Sequence, residues 1–146
     1  AWLEQTAGKY PEKTAFSDER KSVTYRELSA QAKAAAVQII RLGIFKKPVA
    51  VFLPKGVDTI ISFMAAAYSG NFYSPIDVEM PKKRVQKILE VLEPETVITS
   101  SDLAGIFRSY GYEKNVIIFE KAVQGETPEK QIAAVQSKCI DTDSNA

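Results

Sequence analysis

The side chains able to do chemistry are few, and the absences among them are informative. The 146 residues contain no histidine and one cysteine, Cys139. Without histidine there is no Ser-His or Cys-His nucleophile pair, no imidazole general base and no histidine-containing metal site. One cysteine allows neither an internal disulfide nor a thiolate zinc site. The carboxylates of Asp18, Asp58, Asp77, Glu79 and Asp102 fall at no paired spacing on one helix face. Any of them could ligate magnesium, but the plainer reading of each is a solvated carboxylate. Lys55, in "LPKG" at 53–56, would stand at the carboxyl end of a central strand, where open α/β sheets bind ligands. The plainer reading is a strand-to-helix turn with a solvated lysine. Tyr68, Phe72 and Tyr73 read as core packing rather than a stacking platform, since they fall on a helical face and a strand. The basic run "PKKR", 81–84, reads as a solvated face rather than a nucleic-acid patch.

Phosphate binding would need closely spaced glycines, whose backbone N–H groups can cradle the anion. The seven glycines are Gly8, Gly43, Gly56, Gly70, Gly105, Gly111 and Gly125. None forms G-x-G, and none precedes Lys-Ser or Lys-Thr, so both the dinucleotide fingerprint and the P-loop are missing. A net charge of +1 gives no electrostatic case for nucleic acid or an anionic membrane. No apolar run is long enough to span a bilayer, and no signal-peptide pattern opens the chain. With its lone cysteine, the chain fits an intracellular, cytoplasmic class. It opens on Ala1 and closes on "DTDSNA", and so reads as a piece of something longer.

The elements that would position these residues follow from spacing. "AWLEQTAGKYP" suits a short helix, and "TAFSDERKSVTY" two short strands around a polar turn. Leu28, Ala32, Ala35, Ala36, Ile39 and Leu42 form a helical stripe, which predicts a helix over 25–42. Thr24 and Glu27 fit a capping box at its start, and Gly43 a left-handed cap at its end. "VAVFL", 49–53, reads as a strand buried on both faces. Val57, Ile60, Ile61, Met64, Ala65 and Tyr68 mark a second helix, closed by Gly70. "FYSP" is a strand. Pro81 suits the first position of a third helix, whose buried stripe is Val85, Ile88, Leu89 and Leu92. "TVITS", 96–100, is a strand, then a short helix covers Leu103 to Tyr110, and "NVIIF", 115–119, is the last strand. Residues 121–146 are expected to be a weakly structured tail. Strand and helix alternate from 49 to 119, so the fold expected is α/β, a mostly parallel sheet flanked by helices in a single domain over 1–146.

Two segments carry more than fold. "SVTYREL", 22–28, and "YSGNFYSPIDVEMPKKRV", 68–85, resemble the first two core motifs of the adenylate-forming enzymes. The resemblance is to the amino-acid adenylation domains of nonribosomal peptide synthetases and the D-alanine–carrier-protein ligases. The first pattern, approximately Leu-Thr-Tyr-x-Glu-Leu, is met at Val23 to Leu28 with valine in place of leucine. The second, approximately Lys-Ala-Gly-x-x-Tyr-x-Pro-Ile/Leu-Asp, is met at Tyr68 to Asp77, followed by Pro81 and Arg84. Tyr68-Ser69 stand where Lys-Ala is usual. "KYPEKTAF", 9–16, and "ETVITS" also fit, in order, so the resemblance runs from residue 1 to about residue 100.

The resemblance implies the N-terminal subdomain of an enzyme that uses ATP and magnesium to turn a carboxylate into an acyl-adenylate. Such an enzyme then passes the acyl group to the phosphopantetheine thiol of a carrier protein. It also implies that the catalytic parts lie elsewhere: a Ser/Thr/Gly-rich phosphate loop, the adenine and acid pockets, and a C-terminal domain with a catalytic lysine. No residue here matches those parts. No catalytic, cofactor-binding or metal-binding residue is therefore assigned, no cofactor is expected in this stretch, and its expected partner is the rest of the adenylation domain. The alternative is a self-sufficient α/β binding or interaction module without catalysis, since architecture does not fix function. Asp77 and Arg84 are expected to tie the exit of one strand to the start of the next helix, directly or through the backbone.

Overall fold

The computed structural model describes residues 13–124. Strands β1 (Thr14–Ser17) and β2 (Ser22–Thr24) form an antiparallel hairpin. Its turn is built by Asp18, whose Oδ1 accepts from the N–H groups of Arg20 at 2.7 Å and Lys21 at 2.9 Å. A carboxylate closing its own turn does what glycine does elsewhere. Thr24 ends β2 and caps α1 (Tyr25–Arg41). Its hydroxyl accepts from Glu27 N–H at 3.1 Å, and the Glu27 carboxylate accepts from Thr24 N–H at 2.9 Å, the reciprocal box read from the sequence. Gly43, at φ +76°, ends the helix.

Four further strands, β3 (Pro48–Phe52), β4 (Phe72–Pro75), β5 (Thr96–Thr99) and β6 (Asn115–Ile118), alternate with α2 (Val57–Tyr68), α3 (Lys82–Leu92) and α4 (Ser101–Ser109). The chain continues into a short helix, α5 (Phe119–Ala122), where the sequence suggests a loop from Lys121 onward. The rest of that stretch, 125–146, and the N-terminal helix expected before Pro11 lie outside the described residues. The sheet runs β4-β3-β5-β6, all parallel. β3 sits between two neighbours and is buried on both faces, as its unbroken apolar run requires.

The two faces carry separate cores. On one, Val49, Val51, Leu53, Ile98 and Ile117 meet α1, α2 and α5. Ala32, Ala35 and Ala36 on α1 and Ala65 and Ala66 on α2 are fully buried, and these small side chains let the two helices approach closely. On the other, Ala50, Phe52, Ile76 and Val97 meet Val85 of α3 and Phe107 of α4. The rings of Phe52 and Phe107 lie 4.9 Å apart. Burying either contributes about 1.5–3 kcal/mol.

The corner after α2 explains much of the second motif. Gly70, at φ +78°, turns the chain out of the helix. Asn71 is buried, and its amide works as a clamp. Its Oδ1 accepts from Lys47 N–H at 3.0 Å, while its Nδ2 reaches the carbonyls of Ile44 at 3.3 Å and Ser69 at 3.2 Å. That ties the loop before β3 to the loop before β4.

Three expectations change. Pro81 caps α3 from just outside rather than occupying its first position: its carbonyl accepts from Arg84 and Val85, and α3 begins at Lys82. Phe72 and Tyr73 are not core: they are 62% and 50% exposed, because β4 is an outermost strand. Tyr68 alone of the three is buried. Among the described residues, Asp77 and Arg84 share neither an ion pair nor a hydrogen bond. The Asp77 carboxylate instead accepts from Glu79 N–H at 2.9 Å, and its carbonyl from Met80 N–H at 3.1 Å. An aspartate that satisfies itself two residues on has no need of a guanidinium.

Candidate site at the carboxyl edge of the sheet

The ends of β3 and β5 open into a polar cleft of about 580 Å³, at the place where open α/β sheets hold ligands. Lys55, Asp58, Asp102, Asp18 and Glu120 all line it. The strand-to-helix turn brings Lys55 to the crevice, as its place after β3 suggests, and Asp58 stands there with it. The Thr99 hydroxyl donates to the Phe52 carbonyl at 2.6 Å and fixes the two strand ends side by side.

Two helices point their N-termini into this cleft, and both are already closed by carboxylates of the same chain. α2 begins after Gly56, which has no side chain with which to cap it. Asp18 does so from the hairpin, with Oδ2 accepting from Val57 N–H at 2.7 Å. That bond, with those from Lys21 and Arg20, holds the Asp18 carboxyl below the usual range. The approach is so close that a Cβ on Gly56 would lie 2.4 Å from Asp18 Oδ2. Lys21, next in the hairpin turn, forms an ion pair with Asp58 in the first turn of α2. Ser100 caps α4, its Oγ accepting from Leu103 N–H at 3.2 Å. Glu120, from α5, then closes the same helix start. Its carboxylate accepts from the Ser101 hydroxyl at 2.6 Å and from Ser101 N–H at 3.1 Å. The Ser101 hydroxyl is the chief reason its carboxyl also sits below the usual range.

The orphan N–H groups and positive dipole end of a helix form an anion site when left open. Here Asp18 takes the Val57 N–H, Glu120 the Ser101 N–H and Ser100 the Leu103 N–H, and the two carboxylates oppose a phosphate's charge. Lys55 is exposed and points to no acceptor among the described residues, and Arg20 and Lys21 of the hairpin turn line the same cleft. Asp102 is exposed in the first turn of α4, where its charge suits the dipole. No group of three or more metal-ligating side chains is found among the described residues. Glu79 and Asp77 stand away from the cleft, in the turn before α3. At the opposite end of the sheet a groove of about 540 Å³ is lined by Gln86, Glu90, Tyr110 and Tyr112. The buried Tyr112 hydroxyl lies 3.1 Å from the carbonyls of both Pro94 and Asn115, a structural tie, and burial raises its pKa well above that of a free phenol.

Sequence reasoning found Thr24, Glu27 and Gly43. It missed Asp18, Glu120 and Asn71, whose partners lie 39, 19 and 24 residues away. One signal was present: Gly56 at the head of an apolar helix leaves that helix without a side-chain cap, so a cap from elsewhere is required.

A family model described as AMP-binding enzyme matches residues 3–145. Gramicidin S synthase 1 of Brevibacillus brevis is 32% identical over 120 residues, which is 82% of this chain and 11% of the synthase. The D-alanine--D-alanyl carrier protein ligase of Streptococcus pneumoniae is 37% identical over 98 residues, 66% of this chain and 18% of the ligase. The chain thus spans less than a fifth of either relative. A solved nonribosomal peptide synthetase with alpha-methyl-L-serine-AMP bound superposes with a TM-score of 0.79 at 23% identity, over 86% of this chain and 14% of that one. O-succinylbenzoate coenzyme A synthetase of Bacillus subtilis, solved with AMP, gives 0.73 at 21%, over 87% and 33%. At such identities the superpositions speak for the fold. Among the described residues no helix is long and apolar enough to cross a membrane. With a family match over nearly all its length and the same parallel α/β subdomain, this chain belongs to the AMP-binding enzyme family.

Proposed function

We propose that the chain is the N-terminal part of a cytoplasmic, ATP-dependent enzyme that activates an amino acid. The whole enzyme converts the acid's carboxylate into an acyl-adenylate with release of pyrophosphate, then passes the acyl group to the phosphopantetheine thiol of a carrier protein. Its sequence relatives include a peptide synthetase and a carrier-protein ligase, which supports this reading over other adenylate-forming chemistries.

Within that enzyme these residues act as scaffold. The observation that carries this is the closure of both helix N-termini in the cleft by Asp18 and Glu120. The residues present suit neither a nucleoside triphosphate nor magnesium: Asp18 and Glu120 set negative charge against both helix N-termini, and no three metal-ligating side chains converge among the described residues. No catalytic step is routed through them. ATP, magnesium and the acid belong to parts of the domain outside this chain.

The test is ATP–pyrophosphate exchange by the complete gene product against a panel of amino acids. Exchange is expected with one acid or a small related group, and none from the 146-residue chain. Exchange by the chain alone would overturn the scaffold role. No exchange by the complete product with any acid would overturn the adenylation reading.

A further inference from the structure

Resting on that reading, we propose that the free edge of β4 is the surface on which the remainder of the same adenylation domain docks. Phe72, Ile88 and Val91 form its apolar patch on one face of the sheet, and Tyr73 on the other.

Among the described residues β4 pairs on one side only. Phe72 N–H donates to Lys47 and Ile76 N–H to Val51, at 3.0 and 2.9 Å. In a parallel pair alternate residues face the neighbour, so the N–H and C=O of Tyr73 point outward. The side chains alternate as well. Phe72 shares its face with Ala50 and the α3 layer, and Tyr73 shares its face with Val49 and the α2 layer. Tyr73 is held in place by Phe63, the rings stacked at 3.9 Å. Two aromatic side chains, 62% and 50% exposed, therefore flank a strand edge that has free backbone groups.

α3 extends the patch. Its Gln86 reaches the Tyr110 carbonyl at 3.2 Å, so that flank faces α4. At about 100° per residue, Val91 lies roughly 140° around the helix from Gln86, on the flank turned toward β4. Val91 is 87% exposed, and Ile88 on the same side is half-buried. The end of α3 and the start of β4 share one corner of the sheet. Glu95, just before β5, donates to the Pro48 carbonyl, and Pro48 is the register partner of Phe72. Around this corner stand the exposed cations Lys46 and Lys47 before β3 and Lys87 on α3, against one exposed acid, Glu93, at the helix end. The exposed Glu90 lies on the α4 flank. The occupant is thus a segment that adds backbone hydrogen bonds to β4, covers Phe72 and Val91 with apolar groups, and carries carboxylates at the rim.

A second copy of the chain fits poorly. In a symmetric β4–β4 pairing only Tyr73 offers both groups. Pro75 has no N–H, and the Asn71 N–H is spent on Ala66 at 2.9 Å. Two hydrogen bonds along a four-residue strand fall well short of the roughly 800 Å² per partner of a stable interface. A covalently linked segment needs far less, because its effective concentration reaches about the millimolar range. The relatives supply such a segment: this chain accounts for 11% of one and 18% of the other.

The test is hydroxyl-radical footprinting of the 146-residue chain and of the complete gene product, combined with the pair Phe72→Ser and Val91→Asp in both. Phe72, Tyr73 and Val91 should label strongly in the chain and severalfold more slowly in the complete protein. The double variant should leave the melting temperature of the chain unchanged and lower that of the complete protein. Equal labelling in both, or an equal effect of the variants in both, would overturn the docking surface. So would protection in the chain alone that rises with its concentration, which would assign the edge to a second copy. A complete protein that exchanges pyrophosphate yet leaves the patch labelled sinks this inference alone. A gene product without exchange sinks the reading beneath it.

Discussion

Asp18 joins three things at once: its own hairpin turn, the start of α2 and, through neighbouring Lys21, the Asp58 carboxylate. Its charge is what these bonds favour, so its folded pKa lies below the unfolded one. The stabilisation is therefore complete above the unfolded carboxylate value of about 4 and is lost as pH falls through the lower folded value. Asp18→Asn should accordingly lower the urea midpoint at pH near 7 and make little difference once the wild-type carboxylate is protonated. A deficit that stays constant down through the carboxylate range would mean that charge is not the cause. Gly56 should prove as constrained. Gly56→Ala places a methyl against the Asp18 carboxylate at φ +154°, and the cost expected is about 1–3 kcal/mol. In an Asp18→Ala background the clash is gone and the same change should cost less. Strict additivity of the two in denaturant titrations would contradict the contact. Thr24→Ala, which removes one half of the capping box, should cost about 1 kcal/mol.

At the scale of elements, helices and buried strands were legible because their signals are local. The stripe from Leu28 to Ile39 has the helical period, and "VAVFL" has the unbroken apolar character of an internal strand. β4 was misjudged for a reason that no local pattern contains: whether "FYSP" is buried depends on its place at the end of the sheet order. The same applies to the site. Lys55 could be placed at the crevice from its position after β3, yet the plugs that close the crevice come from residues 18 and 120. Asn71 shows the cost of breaking such a long-range tie. Asn71→Ala would leave the Lys47 N–H and two carbonyls unsatisfied in a partly buried corner, and about 1–3 kcal/mol of stability should be lost. Calorimetric melting would check it, and a change within error would mean that water replaces the amide without penalty. Between the helices, Ala35 is fully buried where α1 meets α2, so Ala35→Leu should cost about 1–3 kcal/mol by overpacking.

The whole molecule combines a well-covered face, a thinner second face and a carboxyl-edge cleft sealed by its own acids. On the function proposed, such a subdomain would hold shape while the nucleotide is bound elsewhere. The motifs by which the family was recognisable, "SVTYREL" and the stretch from Tyr68 to Arg84, turn out to be a capping box, a glycine-asparagine corner, an aspartate turn and a proline cap. They are shape-making residues, which is why they could announce the fold without disclosing a substrate. The central claim is that this chain holds no nucleotide site. Titration calorimetry of the 146-residue chain with ATP and magnesium tests it most directly. The account predicts no saturable heat at millimolar nucleotide. Micromolar binding that depends on magnesium, and is lost on Lys55→Ala, would contradict it.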